Sequence, residues 1–247
     1  MTNDESSVVQ SFKEYFVVEF AKSEEQKRIA YGIRYRVYCD EFKYESADQY
    51  PDHEEKDEAD DYSLHCIIIH KKTMRPAACV RLVPAFKNNG EEVQLPFEQH
   101  CPESIDRVFI DSLNLNRETV CEISRLAVDH LYRRRPSEDF TRYGEFKSLQ
   151  FSKHERRTFS LLSVATFLAA IALTKLSEKP NVFAMMEPFL PRLLKRSGIH
   201  SQKVGVEVDY RGMRAPYLMK RDFILDQMQG EMKELYTWIL EQVRATY

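Results

Sequence analysis

The chain has 247 residues, of which 43% are hydrophobic and 12% aromatic, enough to bury a sizeable core in one large domain. It contains only 7 glycines, which stand singly, so neither the GxGxxG turn of dinucleotide-binding proteins nor a P-loop for nucleotide phosphates can form. The formal net charge of -3 gives no overall basic field and no indication of a nucleic-acid partner.

The predicted elements follow from hydrophobic spacing and turn signals along the chain. Strands are predicted at residues 16–20, 64–70, 77–84, 119–128 and 181–186, with two final strands at 202–208 and 217–220. Helices are predicted from a Ser23 cap to about residue 41, at 157–178, at 187–195 and, as a C-terminal helix, at 224–243. No internal repeat or low-complexity linker interrupts this order. We therefore expect a single α+β domain over residues 1–247, with a mixed sheet.

The one long apolar run, residues 159–174, spans 16 residues and includes Ser and Thr. About 20 apolar residues are needed to cross a bilayer, so the run predicts a buried helix and no transmembrane span. The N-terminus lacks the basic and apolar segments of a signal peptide, and the 5 cysteines have no CxxC spacing. A cytoplasmic location and the absence of a metal site are the resulting expectations.

Charge is unevenly distributed along the chain. Residues 40–61 contain eleven acidic and two basic side chains, whereas residues 133–157 contain eight basic and four acidic ones. Such runs are usually solvated loops. The alternative is that the two segments form faces with different partners.

One strand and the turn after it carry a family resemblance. The sequence EISRLAV followed by DHLYR resembles motif A of the GNAT acyltransferases, with Leu126, Val128, Tyr132 and Arg133 at the motif positions. The resemblance implies a mainly antiparallel sheet flanked by helices and a donor thioester bound beside these residues. GNAT enzymes continue with glycines that hold the coenzyme A pyrophosphate, but this chain continues with Arg134 and Arg135.

That departure resembles the acyl-homoserine-lactone (autoinducer) synthases, GNAT relatives that accept acyl groups from acyl carrier protein. The positions similar to their charged and aromatic residues are Arg34, Tyr38, Asp57, Asp60, Arg81, Glu122 and Arg125, with Tyr44 where those synthases have Trp. Longer sequence segments, among them RYRVYCDEF and MMEPFLPRLLKRSGI, resemble those of the PEP-CTERM/exosortase system-associated acyltransferases and the long-chain N-acyl amino acid synthases. The resemblance covers most of the chain.

The resemblance implies direct attack of an amine on a thioester, without an acyl-enzyme intermediate. Glu122 is then the candidate base, with Arg125 beside it in the catalytic pair, and backbone N–H groups of a strand bulge near Leu126 to Val128 polarise the carbonyl. A free Glu has a pKa near 4.3, so a useful base here must be partly desolvated. The alternative is that Glu122 simply pairs with Arg125.

Three further groups of residues are candidate binding sites. Arg34, Tyr38, Asp57, Asp60 and Arg81 resemble the acceptor pocket of the synthases, and their charges suit an amino acid zwitterion; alternatively they brace the N-terminal loop. Glu187 is a secondary candidate, since its position at a helix start is explained by the helix dipole. The candidate carrier-docking residues are Arg133, Arg134, Arg135, Arg142 and Lys147, which are otherwise a solvated basic loop.

The sequence thus predicts an N-acyltransferase that moves a long-chain acyl group from acyl carrier protein to an amino acid or a similar small amine. The donor is an acyl-phosphopantetheine or acyl-CoA, and no tightly bound cofactor is expected. The helix at 157–178 and the strand at 181–186 either line an acyl tunnel or are plain core. Two alternatives stay open: an autoinducer synthase that uses S-adenosylmethionine, and a non-catalytic module that binds an acyl group or its carrier.

Overall fold

The computed structural model describes residues 7–133 and 151–247, which fold around one mixed sheet. The strands are β1 Phe16–Phe20, β2 Leu64–His70, β3 Arg75–Pro84, β4 Val120–Val128, β5 Asn181–Met186, β6 Gln202–Lys203, β7 Val208–Asp209 and β8 Met213–Lys220. Their order in the sheet is β1-β2-β3-β4-β5-β8-β6, and β7 pairs with the outer part of β8. Neighbours are antiparallel except β4 and β5, which are parallel.

Helices cover both faces of the sheet. They are α1 Val8–Tyr15, α2 Glu24–Arg34, α3 Pro96–His100, α4 Arg107–Ser112, α5 Lys153–Thr158, α6 Leu162–Leu176, α7 Leu190–Arg196, α8 Arg221–Gln227 and α9 Gly230–Thr246. On one face α6 packs against β2, β3, β4 and α9. On the other face α2 buries Ala30 and Ile33 against Ile67 and Cys79. Because both faces are covered, β2 is a nearly continuous apolar run without polar alternation.

The apolar helix α6 is the centre of the larger core. By length and composition alone, the 24-residue segment Lys153–Leu176 could cross a membrane, since it contains an 18-residue window with a mean hydropathy of 1.9. In the fold, 72% of that window is buried inside the protein. Its apolar surface is therefore already covered by the sheet and α9, as a core helix requires.

The first predicted helix changes its winding halfway. Ser23 caps α2 through a reciprocal capping box with Gln26, as its sequence position indicates. After Arg34 the chain continues to Glu41 as a π-helix, Tyr35–Glu41. The predicted end of the helix is therefore confirmed, but its second half has the wider π turn. Such turns are rare in proteins, and those that occur are often found at functional sites.

Several predicted elements differ in their bounds. The helix predicted at 157–178 is interrupted by a 3-10 turn, Phe159–Leu161, between α5 and α6. The helix predicted at 187–195 begins only at Leu190, and the strand predicted at 202–208 is the two short strands β6 and β7. The C-terminal helix predicted at 224–243 is α8 and α9, separated by extended backbone at Met228 and Gln229. Helices α1, α3 and α4 were not predicted.

The two parallel strands in the middle of the sheet diverge. Strands β4 and β5 pair only over three residues, from Val120 opposite Asn181 to Glu122 opposite Phe183. Beyond Glu122 both strands continue, to Val128 and Met186, without pairing with each other. This separation leaves an opening in the sheet, and Glu122 lies at its base.

Candidate active site

The opening between β4 and β5 is a cleft of about 440 Å³. Residues Ile123 to Val128 of β4 line one side, and Ala184, Met185 and Met186 of β5 line the other. Phe167 of α6 and Tyr38 of the π-helix contribute further apolar surface. The predicted tunnel lining by α6 and β5 therefore agrees with the position of this cleft, while most of α6 is core.

Strand β4 carries a bulge beside the cleft. Cys79 pairs with Ala127 and Arg81 with Ser124, so Arg125 and Leu126 both lie opposite Val80. Arg125 has φ of 52°, a left-handed conformation that a residue with a side chain rarely adopts. The bulge was expected near Leu126 to Val128 and lies one residue earlier. A bulge leaves a backbone group of the strand outside the ladder, which is the arrangement needed to polarise a bound carbonyl.

The hydroxyl of Tyr38 fixes this bulge from the neighbouring π-helix. It donates to the carbonyl oxygen of Leu126 at 3.0 Å. The guanidinium of Arg125 lies 5.9 Å from the centre of the Tyr38 ring. Burial raises the pKa of Tyr38 to about 12, so the hydroxyl stays protonated and remains a donor near neutral pH.

Glu122 is buried at the point where β4 and β5 part, with 3% of its surface exposed. Its Oε2 accepts the backbone N–H of Phe97 at 2.9 Å. Burial raises the pKa of Glu122 from 4.5 to about 7, although this hydrogen bond and the charges of Arg81 and Arg125 act in the opposite direction. The carboxyl lines a chamber of about 60 Å³ that shares Ile123, Ser124 and Arg125 with the larger cleft.

Arg125 is committed to other carboxylates. Its Nε donates to Glu55 at 3.2 Å and its Nη2 to Asp57 at 2.9 Å. The alternative in which Glu122 serves only as the partner of Arg125 is therefore not the arrangement in the structure. Arg125 lies in the wall of the chamber and holds β4 to the acidic segment of residues 40–61, called the acidic loop from here on.

The predicted charged residues form one buried network. Arg34 donates to both oxygens of Asp60, at 2.7 and 2.9 Å, and also to Glu55. Arg81 donates through Nη1 to Asp57 at 2.5 Å and to Asp60 at 3.0 Å. Burial alone would raise the pKa of Asp60, but the charges of Arg34 and Arg81 hold it well below its ordinary range.

The geometry of this network favours bracing over substrate binding. The three arginines Arg34, Arg81 and Arg125 are matched by the three carboxylates of Glu55, Asp57 and Asp60. Arg34, Asp57, Asp60 and Arg81 are not among the residues that line the cleft or the chamber. The network instead fastens the acidic loop to α2, β3 and the bulge of β4.

Glu55 is a member of the network that sequence reasoning missed. It has 0% exposed surface and bonds both Arg34 and Arg125. It stands among eleven acidic residues in a stretch that reads as a solvated loop, and nothing in its spacing distinguishes it from Glu54 or Glu58. Only the presence of a third arginine, Arg125, beside the buried Arg34 and Arg81 could have indicated it, because three charges call for a third carboxylate besides Asp57 and Asp60.

The remaining predicted residues are more peripheral. Arg133 donates to the Val128 carbonyl oxygen at 2.7 Å and to Glu41, at the rim of the cleft. The other predicted carrier-docking residues, Arg134, Arg135, Arg142 and Lys147, lie outside the described residues. Glu187 also lines the cleft, but it precedes α7 by three residues, so the predicted position at a helix start is wrong.

Two arginines of the chamber were not predicted. Arg211 lies in the turn after β7 and Arg214 on β8, and both line the same space as Glu122, next to Tyr44 and Tyr210. Both lie in the segment YRGMRAPYL, for which no binding role was predicted. In the described residues no group of three or more His, Cys, Asp or Glu side chains is arranged to hold a metal ion.

The comparison with known proteins agrees with this architecture. Residues 33–142 match the sequence model of the acetyltransferase (GNAT) domain. The chain has the GNAT fold. Among proteins of curated function, none matches the sequence significantly. The predicted fold class is confirmed, and the matched domain model is one of acyltransferases, the class of enzyme that the sequence predicts.

Three solved structures illustrate the likeness. The CoA-dependent acyl-homoserine lactone synthase BjaI, with SAM and isopentyl-CoA, has a TM-score of 0.58 at 12% identity and covers 92% of this chain and 90% of its own. TofI, in a ternary complex with an inhibitor and MTA, has a TM-score of 0.58 at 17% identity, with 90% and 99% covered. FeeM, an N-acyl amino acid synthase from uncultured soil microbes, has a TM-score of 0.52 at 10% identity, with 86% and 94% covered.

Proposed function

We propose that the protein transfers an acyl group from a thioester to the amine of a small acceptor such as an amino acid. The observation that carries this proposal is the buried carboxyl of Glu122, whose pKa is about 7, in a small chamber that opens into an apolar cleft. A base with this pKa is half ionised near neutral pH, which suits proton transfer in either direction. The cleft takes the thioester and its acyl chain, and the chamber takes the amine.

The reaction is then a direct displacement. The amine nitrogen attacks the thioester carbon, and Glu122 accepts the proton that the nitrogen loses, directly or through a water. The carbon–sulfur bond breaks, and the electron pair leaves with the thiolate of the donor. The backbone at the bulge of Arg125 and Leu126 supplies the donors for the developing oxyanion.

For the donor we propose the phosphopantetheine thioester of an acyl carrier protein. Arg134 and Arg135 stand where coenzyme A enzymes of the GNAT class have glycines, and basic residues suit an acidic carrier. BjaI is described as CoA-dependent on a similar fold, so coenzyme A is the competing donor. The resemblance to exosortase-associated acyltransferases adds the proposal that the enzyme serves such an export system.

A transfer assay tests the proposal. The protein is mixed with acyl carrier proteins bearing acyl chains of several lengths and with a panel of amino acids, and N-acyl products are sought by mass spectrometry. N-acyl amino acids are the expected product. If only coenzyme A thioesters are consumed, the proposal that acyl carrier protein is the donor is wrong. If the protein binds acyl carrier protein but consumes no thioester, it is a non-catalytic binding module and the proposed enzymatic activity is refuted.

An autoinducer synthase is the second candidate, because the similar structures include BjaI with SAM and TofI with MTA. In that reaction the amine belongs to S-adenosylmethionine, and the acylated product closes to a lactone. Release of methylthioadenosine in the presence of acyl donor distinguishes this activity. Its absence, with N-acyl amino acid formed, excludes the lactone reaction.

A further inference from the structure

A tight hairpin brings two arginines to the chamber of Glu122. Strands β7 and β8 pair through Val208 with Arg214 and Asp209 with Met213. Three residues, Tyr210 to Gly212, form the turn between them, and in it Arg211 and Gly212 have φ of 55° and 93°, which are both left-handed. The arrangement brings the side chains of Arg211 and Arg214 into the wall of the chamber.

The arginines of the chamber differ in how fully their charges are matched. Arg125 bonds two carboxylates, and Arg211 is paired with Glu45. Arg214 is different: its Nε is buried without a hydrogen-bond partner among the described residues. Its Nη2 lies 3.7 Å from the Glu187 carboxylate, which is longer than a hydrogen bond.

The Arg214 guanidinium also lies against an aromatic ring. It lies 5.7 Å from the centre of the Tyr44 ring, within cation–π distance. Burial and the positive charges of Arg214 and Arg34 lower the pKa of Arg211 from its ordinary value. Two guanidiniums close enough to repel each other leave a site that an anion would neutralise.

We propose that Arg214 binds the carboxylate of the acceptor, so that the acceptor is an amino acid and not an uncharged amine; this rests on the proposed function. A guanidinium edge of Nε and one Nη offers two parallel N–H donors, the geometry that matches a carboxylate. Arg214 and Glu122 line the same chamber, so an α-amino acid presents its carboxylate to the first and its amine to the second. Arg34 and Arg81, which were expected to serve the acceptor, form ion pairs with Glu55, Asp57 and Asp60 and line neither the chamber nor the cleft.

The test uses a pair of product analogues that differ only in charge. N-lauroylglycine carries the carboxylate and N-lauroylglycinamide replaces it with a neutral amide, while both place the same acyl chain in the cleft. Their affinities for the full chain are measured by calorimetry, which needs no turnover. The variants are Arg214→Met, which removes the donors, Arg214→Lys, which keeps the charge without the fork, and Arg192→Met as a control for loss of one exposed charge on α7.

The wild-type protein and Arg192→Met are expected to bind the acid about 10- to 100-fold more tightly than the amide, and Arg214→Met to lose this preference. Arg214→Lys is expected to lie between them. Equal affinity of the wild-type protein for acid and amide overturns the proposal, as does a preference that survives in Arg214→Met or the absence of binding by both. The transfer assay is separate: if no N-acyl product forms while the preference is present, the proposed function fails and the carboxylate site stands.

Discussion

At the scale of single residues, the burial of Glu122 affects both the proposed chemistry and the stability of the fold. Its carboxyl is buried, and among the described residues its one hydrogen-bond donor is the Phe97 N–H. Burial penalises the ionised form, and the nearby arginines offset only part of that penalty. The same desolvation that makes the carboxylate a stronger base also makes the ionised folded state less stable.

The activity is expected to follow the ionisation of Glu122. Below its pKa of about 7 the carboxyl is protonated and cannot accept a proton, so kcat/KM should rise with pH and reach half its plateau near pH 7. Glu122→Gln should lower kcat by about 100-fold or more and abolish this limb of the profile. The measurement is kcat/KM between pH 5 and 9, with donor binding as the control for an intact cleft. An unchanged rate and profile in the variant would remove Glu122 from the mechanism.

The same substitution is expected to stabilise the protein at high pH. The pKa of Glu122 is raised from 4.5 to about 7 on folding, so the folded state binds the proton more tightly and stability falls as pH rises between these values. Above pH 7 the penalty amounts to about 3 kcal/mol. Glu122→Gln should therefore unfold in urea with a higher free energy than the wild type at pH 9, and with a similar one at pH 4. Equal stability at pH 9 would contradict the raised pKa.

Asp60 shows the opposite linkage. Its folded pKa is held well below 3.8, so its contribution to stability is present above that value and is lost as pH falls. Asp60→Asn leaves Arg34 and Arg81 without a shared carboxylate and should cost about 3–5 kcal/mol at pH 7, measured by urea unfolding. Glu207→Gln, which breaks an exposed pair with Lys203, is the matched control and should change stability by less than about 1 kcal/mol. A similar effect of both variants would refute the bracing role.

At the scale of elements, the sequence predicted the strands best. β1, β2 and β5 have the predicted bounds because their apolar runs are short and bounded by turn residues. Helix winding and helix breaks were not predictable, since the π-helix Tyr35–Glu41 and the extended Met228 and Gln229 depend on tertiary packing that side-chain periodicity does not report.

The site was predictable to the extent that its residues lie on predicted strands. Glu122 and Arg125 belong to the EISRLAV strand, and the network residues Arg34, Asp57 and Asp60 do meet. What the sequence could not give was the matching of charges within that network, because hydrogen-bond partners distant in sequence are fixed by the fold. Glu55 and Arg214 were missed for this reason: the first is one acid among many, and the second stands in a segment without a predicted role.

The cleft between β4 and β5 should limit the length of the acyl chain that the protein accepts. Ala184 of β5 lines the cleft with 5% exposure, so a larger side chain there fills space otherwise available to the acyl chain. Each buried methylene contributes about 0.8 kcal/mol, so losing room for two should lower kcat/KM by about tenfold. Ala184→Phe is expected to lower kcat/KM for long acyl donors relative to short ones, with Ala184→Ser as control. The ratio of kcat/KM for long donors to kcat/KM for short donors does not depend on the folded fraction of a variant. If this ratio is unchanged in Ala184→Phe, the acyl chain binds elsewhere.

At the scale of the whole molecule, some charged side chains are buried in ion pairs and others lie on the surface. The chain is acidic overall, with a net charge of -3. Three carboxylates of its acidic loop, Glu55, Asp57 and Asp60, are paired with arginines in the buried network. Near the cleft Arg133 is partly matched by Glu41. An acidic carrier is thus repelled by the molecule as a whole and can be attracted only by a local basic segment, for which residues 133–157 are the candidates.

Salt should therefore affect a carrier-borne donor and a free one differently. Raising the salt concentration from 50 to 500 mM shortens the distance over which charges act, so kcat/KM for acyl carrier protein should fall by about tenfold. Acyl-pantetheine, an uncharged donor with the same thioester, should show little change. The double substitution of Arg134→Glu and Arg135→Glu should reduce kcat/KM for the carrier at low salt and flatten its salt dependence, while leaving acyl-pantetheine turnover unaltered. If salt and the double substitution act equally on both donors, charge steering of a carrier is not part of donor recognition, and the glycines missing after β4 need another explanation.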